Sequence, residues 1–140
     1  MQDFDKIFQK IISNANEDTK INLKDLENHL FKNISTKQQY INDLHLYKNK
    51  FKKIENSMLL FYTQMYKNYK NSEYKEYNDK EIKLKIEDNE DYNNLKYEKE
   101  QLEQIINLLK DTIENLKDKS FTLKNIIDYF KIKHSIDDTL

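Results

Sequence analysis

A chain of 140 residues has room for about one domain. It is 37% hydrophobic and 35% charged with a net charge of -1, and it contains no Gly, Pro, Cys or Trp. Without cysteine there is no disulfide, thiolate zinc site or cysteine nucleophile, and without glycine there is no phosphate-cradling loop or tight hairpin turn.

The apolar supply lies below the ~45–50% of ordinary globular chains, which favours elongated helices that each bury one stripe. Near-zero net charge and apolar residues held in register oppose intrinsic disorder. There is also no Arg and a single Ala, Ala15, while Lys, Asn, Ile and Tyr abound. This is the signature of AT-rich coding, so the density of Tyr and Asn carries little functional weight by itself. The N-terminus has no basic segment followed by an apolar run, and the longest apolar run, Met58 to Tyr62, has five residues. No secretory signal or transmembrane segment is expected.

Residues 1–16 read as a short amphipathic helix. Phe4, Ile7, Phe8, Ile11, Ile12 and Ala15 fall on one face of a 3.6-residue period, with Asp3 as cap and Asp5 at the positive N-terminal end. Phe4, Ile7, Phe8 and Ile11 make it a candidate docking helix for a partner groove or a membrane surface. Its polar face is not Lys-rich, which disfavours anionic lipid, and folding back onto the remaining helices is the plainer expectation.

Residues 19–70 read as a long heptad helix, capped by Asp18 or Thr19. From Leu23 the a and d places run Leu23, Leu26, Leu30, Asn33, Lys37, Tyr40, Leu44, Tyr47, Phe51, Ile54, Met58, Phe61 and Met65. Asn33 and Lys37 are polar exceptions at seam positions, where such groups can select register or oligomer state. Ile34, Ile41, Tyr62 and Tyr69 fill e places.

Residues 71–91 form an acidic, Tyr-containing connector: from Glu73 to Asp91 there are eight carboxylates against four lysines. Ile82, Leu84 and Ile86 alternate with charged residues as in a strand, yet Ile82 and Ile86 also suit one helix face. A loop or frayed helix is the preferred reading. Tyr62, Tyr66 and Tyr69 share a helical face and suggest a tyrosine-lined surface near this tip.

Residues 92–134 read as a leucine-heptad helix. Leu95, Leu102, Leu109, Leu116 and Leu123 recur every seventh residue, Phe130 takes the sixth place, and Ile105 and Ile126 hold d. Ile106, Ile113 and Ile127 at e widen the stripe beyond a two-stranded seam, which suits contacts with more than one helix. Residues 135–140 are expected to fray.

The fold class that follows is all-α: an elongated coiled coil or helical hairpin with a short N-terminal amphipathic helix. Its partners are proteins that add further helices, as a homo- or hetero-oligomer. The expected partner face comprises Leu95, Leu102, Ile105, Ile106, Leu109, Ile113, Leu116, Leu123, Ile126, Ile127 and Phe130, with Leu44, Phe51, Ile54, Met58, Phe61 and Met65. A basic-zipper reading fails because Glu87-Asp88-Asn89-Glu90-Asp91 precede the leucines, so no sequence-specific nucleic-acid binding is expected. Lys48, Lys50, Lys52 and Lys53 spread around a helix as a solvated face. A calcium loop starting at Asp79 would place Leu84 where glycine is needed. His29, His45 and His134 share no ligand spacing, so no metal, cofactor or catalytic site is expected.

The chain thus reads as a non-enzymatic coiled-coil subunit or scaffold of a larger complex in the cytoplasm or nucleus. A membrane tether using Phe4 and Phe8 is an alternative. In layout the chain also resembles prefoldin subunits, with two long helices around a tip. That resemblance implies a strand at Ile82-Leu84-Ile86 and a chaperone that meets clients at 70–91.

Overall fold

The computed structural model describes residues 4–20 and 25–139, with side chains through 133. Four α-helices and no strands occur among the described residues: α1 (Phe4–Asp18), α2 (Leu26–Lys70), α3 (Asp79–Glu87) and α4 (Glu90–Thr139). The protein is all-α. The chain divides into two compact units, a middle one from Leu46–Ile105 and a terminal one from Gln2–His45 and Ile106–Leu140.

Five helix ends are closed by side chains or main-chain bonds, without glycine, at Thr19, Asp25, Asn78, Asp88 and Asn89. Thr19 ends α1 by turning both its N–H (3.0 Å) and its Oγ1 (2.8 Å) onto the Ala15 carbonyl. Asp18 and Thr19 therefore close α1 rather than cap α2. The cap of α2 is Asp25, which takes φ 53°, in the left-handed region that Asp tolerates better than most residues. Its carbonyl accepts from His29 N–H at 3.0 Å, and Asn28 donates to its carboxylate at 2.7 Å. The expected cap Asp3 and seam residue Leu23 lie outside the described residues.

Within the span expected as connector stands α3. Asn78 is its N-cap, accepting from Glu81 N–H at 2.8 Å, and the Asp88 N–H closes the other end on Leu84 O. Ile82 and Ile86 are fully buried while Leu84 on the opposite side is exposed. The alternation at 82–86 is thus one buried helix face, and the strand that a prefoldin-like tip requires is replaced by helix. One turn further on, Asn89 Oδ1 accepts from Asp91 N–H (2.9 Å) and Tyr92 N–H (3.2 Å) and starts α4. The fourth helix continues to Thr139, past the expected end at His134. No glycine or proline intervenes to stop it. The side chains of the tail expected to fray lie outside those described.

In the middle unit, α2 and α4 run antiparallel: Phe51 and Glu55 meet Lys99, while Phe61 and Tyr62 meet Tyr92. The core is Ile82, Ile86, Leu102 and Ile105, with half-buried Phe51, Ile54, Met58, Phe61, Met65 and Leu95 around it. In the terminal unit the same two helices are again antiparallel, Glu27 lying by Lys131 and Asn33 by Leu116 and Ser120. Its core is Ala15, Tyr40, Ile106, Leu109, Leu116 and Leu123. Burial on α4 recurs at Leu102, Leu109, Leu116 and Leu123, every seventh residue as the leucines are spaced.

Candidate interaction surfaces

The residues expected to face a partner separate into two groups. Leu102, Ile105, Ile106, Leu109, Leu116 and Leu123 are buried inside the chain itself. Each such side chain contributes about 1.5–3 kcal/mol by leaving water, and that area is spent on the intrachain core. Leu44, Phe51, Ile54, Met58, Phe61, Met65, Leu95, Ile113, Ile126 and Ile127 are half-buried, and Phe130 is exposed. These form the rim that a further helix could cover.

A second apolar surface lies outside the heptad positions. Phe121, Tyr129 and Ile132 on α4 are 70%, 62% and 61% exposed. With Asn125 their spacing is i, i+4, i+8 and i+11, which places them on one helix face. Tyr129 packs edge-on to Phe130, ring centroids 5.8 Å apart. In the same unit, Phe31 and Ile34 are exposed on α2. Sequence reasoning that followed only the a, d and e places passed over Phe121, Tyr129 and Ile132. Their own i, i+8, i+11 spacing was the available signal. The exposed lysines Lys117, Lys124, Lys131 and Lys133 stand in the same stretch of α4.

Polar residues at seam positions organise the interior of the terminal unit. Asn33 is 2% exposed, and its Nδ2 donates to the Leu116 carbonyl at 2.9 Å and to Ser120 Oγ. Because a carbonyl can only accept, the amide orientation is fixed, and Oδ1 is left with no protein donor. Lys119 is 6% exposed, and its Nζ donates to the main-chain carbonyl of Asp18 at 2.6 Å. Burial pushes the Lys119 pKa down, opposed by the charge of Asp18 and reinforced by that of Lys32. The hydroxyl of Tyr40 donates to the Asp18 carboxylate at 2.7 Å, and burial followed by this carboxylate pushes Tyr40 far up. A cleft of about 80 Å³ opens here, lined by Asp18, Asn33, Thr36 and Lys119 among others. His29 is on its wall. Thr112 and Lys119 both occupy d places, so the leucine register itself marked them as inward-facing.

The docking-helix residues Phe4, Ile7, Phe8 and Ile11 are all half-buried, with Phe4 and Phe8 stacked at 5.3 Å. In the middle unit the tyrosines of the connecting region are engaged with their own chain. Tyr62 meets Tyr92, Tyr69 meets Tyr77 at 5.2 Å, and Tyr66 donates to Asp79 at 2.6 Å. Asp79 is held below the ordinary carboxylate range by Lys70 first and Tyr66 second. Tyr74 is almost wholly exposed. A cleft of about 490 Å³ in this unit has Met58 and Tyr92 together with Lys96, Lys99, Glu100 and Glu103 on its walls. Its charges are of both signs, and Lys99 is already held by Glu55 at 3.7 Å.

Among the described residues no group of three His, Cys, Asp or Glu side chains could hold a metal ion. No described helix is long and apolar enough to cross a membrane.

No protein-family model matches the sequence. No curated protein matches it either. The fold does have solved counterparts. Crystal structures of the bacteriophage T4 recombination mediator protein UvsY are similar to this chain at 14% sequence identity. In one lattice the TM-score is 0.78, with 90% of this chain and 96% of that one covered. Two further lattices give TM-scores of 0.78 and 0.76, each covering 89% of this chain. At that identity the likeness concerns the fold.

Proposed function

We propose that this chain is a non-enzymatic interaction protein of the recombination-mediator type, working through helix faces that bind partner proteins in a larger complex. The observation that carries this reading is the extent of the fold likeness to UvsY. It takes in 90% of this chain and 96% of the UvsY chain. A second support is physical. The half-buried rim of Ile113, Ile126, Ile127 and Phe130, with the exposed Phe121, Tyr129 and Ile132, leaves apolar area that further helices would remove from water. The middle unit contributes its own half-buried rim of Phe51, Ile54, Met58, Phe61, Met65 and Leu95. The compartment that fits is cytoplasm or nucleus.

A contact with nucleic acid is part of this reading, of the kind that follows backbone charge and stacks bases rather than reading sequence. Phe121 and Tyr129 supply π-faces and Lys117, Lys124, Lys131 and Lys133 supply cations along one stretch of α4. The absence of Arg removes the planar guanidinium fork and leaves Lys as a point charge.

The test is a pair of binding measurements on purified protein: one against a strand-exchange recombinase from the same genome, one against a fluorescent single strand. The reading expects saturable binding to the recombinase, weakened at least tenfold by Phe121→Asp with Tyr129→Asp. Binding to the single strand should fall steeply with salt. Absence of binding in both measurements rules out the mediator assignment.

A further inference from the structure

The terminal unit has two seams of different character. The α2–α4 pair holds the bonds of Asn33 to Leu116 and Ser120, and α4 buries Leu109, Leu116 and Leu123 fully. Between α1 and that pair the grip is slighter. Phe4, Ile7, Phe8, Ile11 and Ile12 are only half-covered, and Ala15 is the one buried residue of the helix. Two specific bonds involve the last residue, Asp18. Its carboxylate accepts from Tyr40 on α2 at 2.7 Å, and its carbonyl accepts from Lys119 on α4 at 2.6 Å.

We propose that Asp18, Tyr40 and Lys119 form a releasable latch, and that α1 is a strap that detaches from the terminal unit while the α2–α4 pair stays folded. The chemistry of the latch favours reversibility. Lys119 is a buried residue, and its ammonium bonds a neutral carbonyl. Detachment returns the ammonium to water and recovers hydration that offsets the lost bonds. The other charged and titratable groups facing it are Glu17, His29 and Lys32 on the cleft wall. Lys32 adds a like charge that opposes the closed state, and Glu17 is turned to Lys20 at 2.9 Å.

The cleft beneath the latch provides the path for water. It is about 80 Å³, roomier than one water requires, and Asp18, Thr36 and Lys119 put polar groups on its walls. The α1 seam thus has polar groups of its own disposed to hydrate, at Asp18 and Lys119. Local opening follows the seam with few buried apolar contacts. Detachment uncovers the Phe4, Ile7, Phe8 and Ile11 face, the apolar surface with docking character.

Hydrogen–deuterium exchange on the full chain tests this. In the wild-type protein the amides of 8–18 are expected to exchange at least tenfold faster than those of 109–123. Tyr40→Phe and Lys119→Ala should each speed exchange in 8–18 by a further factor of about three to ten, the worth of one hydrogen bond. Exchange in 109–123 should stay unchanged. Equal protection of the two segments in the wild-type protein would overturn the proposal, because α1 would then open only with the whole unit. So would equal acceleration of both segments, or no acceleration, in Tyr40→Phe, which decides the matter should Lys119→Ala not fold.

Discussion

Asn33 shows how one buried polar side chain sets the terms for its neighbours. Its Nδ2 ties α2 to the Leu116 carbonyl and Ser120 Oγ, at the cost of an Oδ1 without a protein donor. An apolar residue of similar size removes that cost while the Leu116 carbonyl keeps its helical bond. Chemical denaturation at fixed protein concentration should therefore rank Asn33→Leu at or above wild type and Asn33→Ala about 1–2 kcal/mol below it. Asn33→Asp should be lower by about 3 kcal/mol or more, since it buries an unpaired charge. A stability of Asn33→Leu well below wild type would contradict this account. Tyr40 carries a pH signature. Its pKa is raised in the folded protein by burial and by the Asp18 carboxylate. A raised folded-state pKa contributes stability that is present below the unfolded value, about 10, and lost as pH climbs above it. Lys119, lowered by burial, acts in the opposite sense over the alkaline range, so the comparison must hold it constant. Between wild type and Tyr40→Phe the stability gap should be flat from pH 7 to 9 and should narrow above about pH 10. A gap that stays level through that range would remove Tyr40 from the hydrogen bond assigned to it. At this scale the sequence was legible where the register was followed strictly: Asn33 stood out as a polar seam residue and is buried. Thr112 and Lys119 at d places obeyed the same rule and are buried too, but polar side chains hide a seam from a search for apolar ones.

At the scale of elements, α3 depends on two side chains and a cap. Ile82→Ala or Ile86→Ala should cost about 2–4 kcal/mol, because both are fully buried and the site leaves a cavity. Leu84→Ala, exposed on the other side, should change stability by less than about 0.5 kcal/mol. Asn78→Ala should cost about 1 kcal/mol through loss of the bond to Glu81 N–H. Equal costs at positions 82 and 84 would be the signature of a strand or an unpacked loop, and would contradict the helical placement. This element was ambiguous in sequence for a physical reason. Three apolar residues at alternate positions satisfy a strand pattern, and only the i, i+4 pair Ile82 and Ile86 distinguishes the helix. The long helices were legible because their apolar spacing persists over many turns. Their ends were less so, since without glycine or proline the chain closes them with side chains such as Thr19, Asp25, Asn78 and Asn89.

For the whole molecule, the leucine repeat answered a different question from the one it first posed. Leu102, Leu109, Leu116 and Leu123 are enclosed by the chain's own helices, and what remains for partners is the rim and the separate face of Phe121, Tyr129 and Ile132. The all-α class was readable from periodicity and composition. The mediator-type reading was not, because no catalytic or ligand motif marks it and the likeness to UvsY lies in backbone arrangement at 14% identity. Its most direct test is a strand-exchange assay with the recombinase of the same genome on DNA covered by single-strand-binding protein. Added in increasing amounts, this protein should shorten the lag before joint molecules form, and the Phe121→Asp, Tyr129→Asp double variant should not. A lag that is unchanged across the titration, with both proteins folded, would contradict the proposed function.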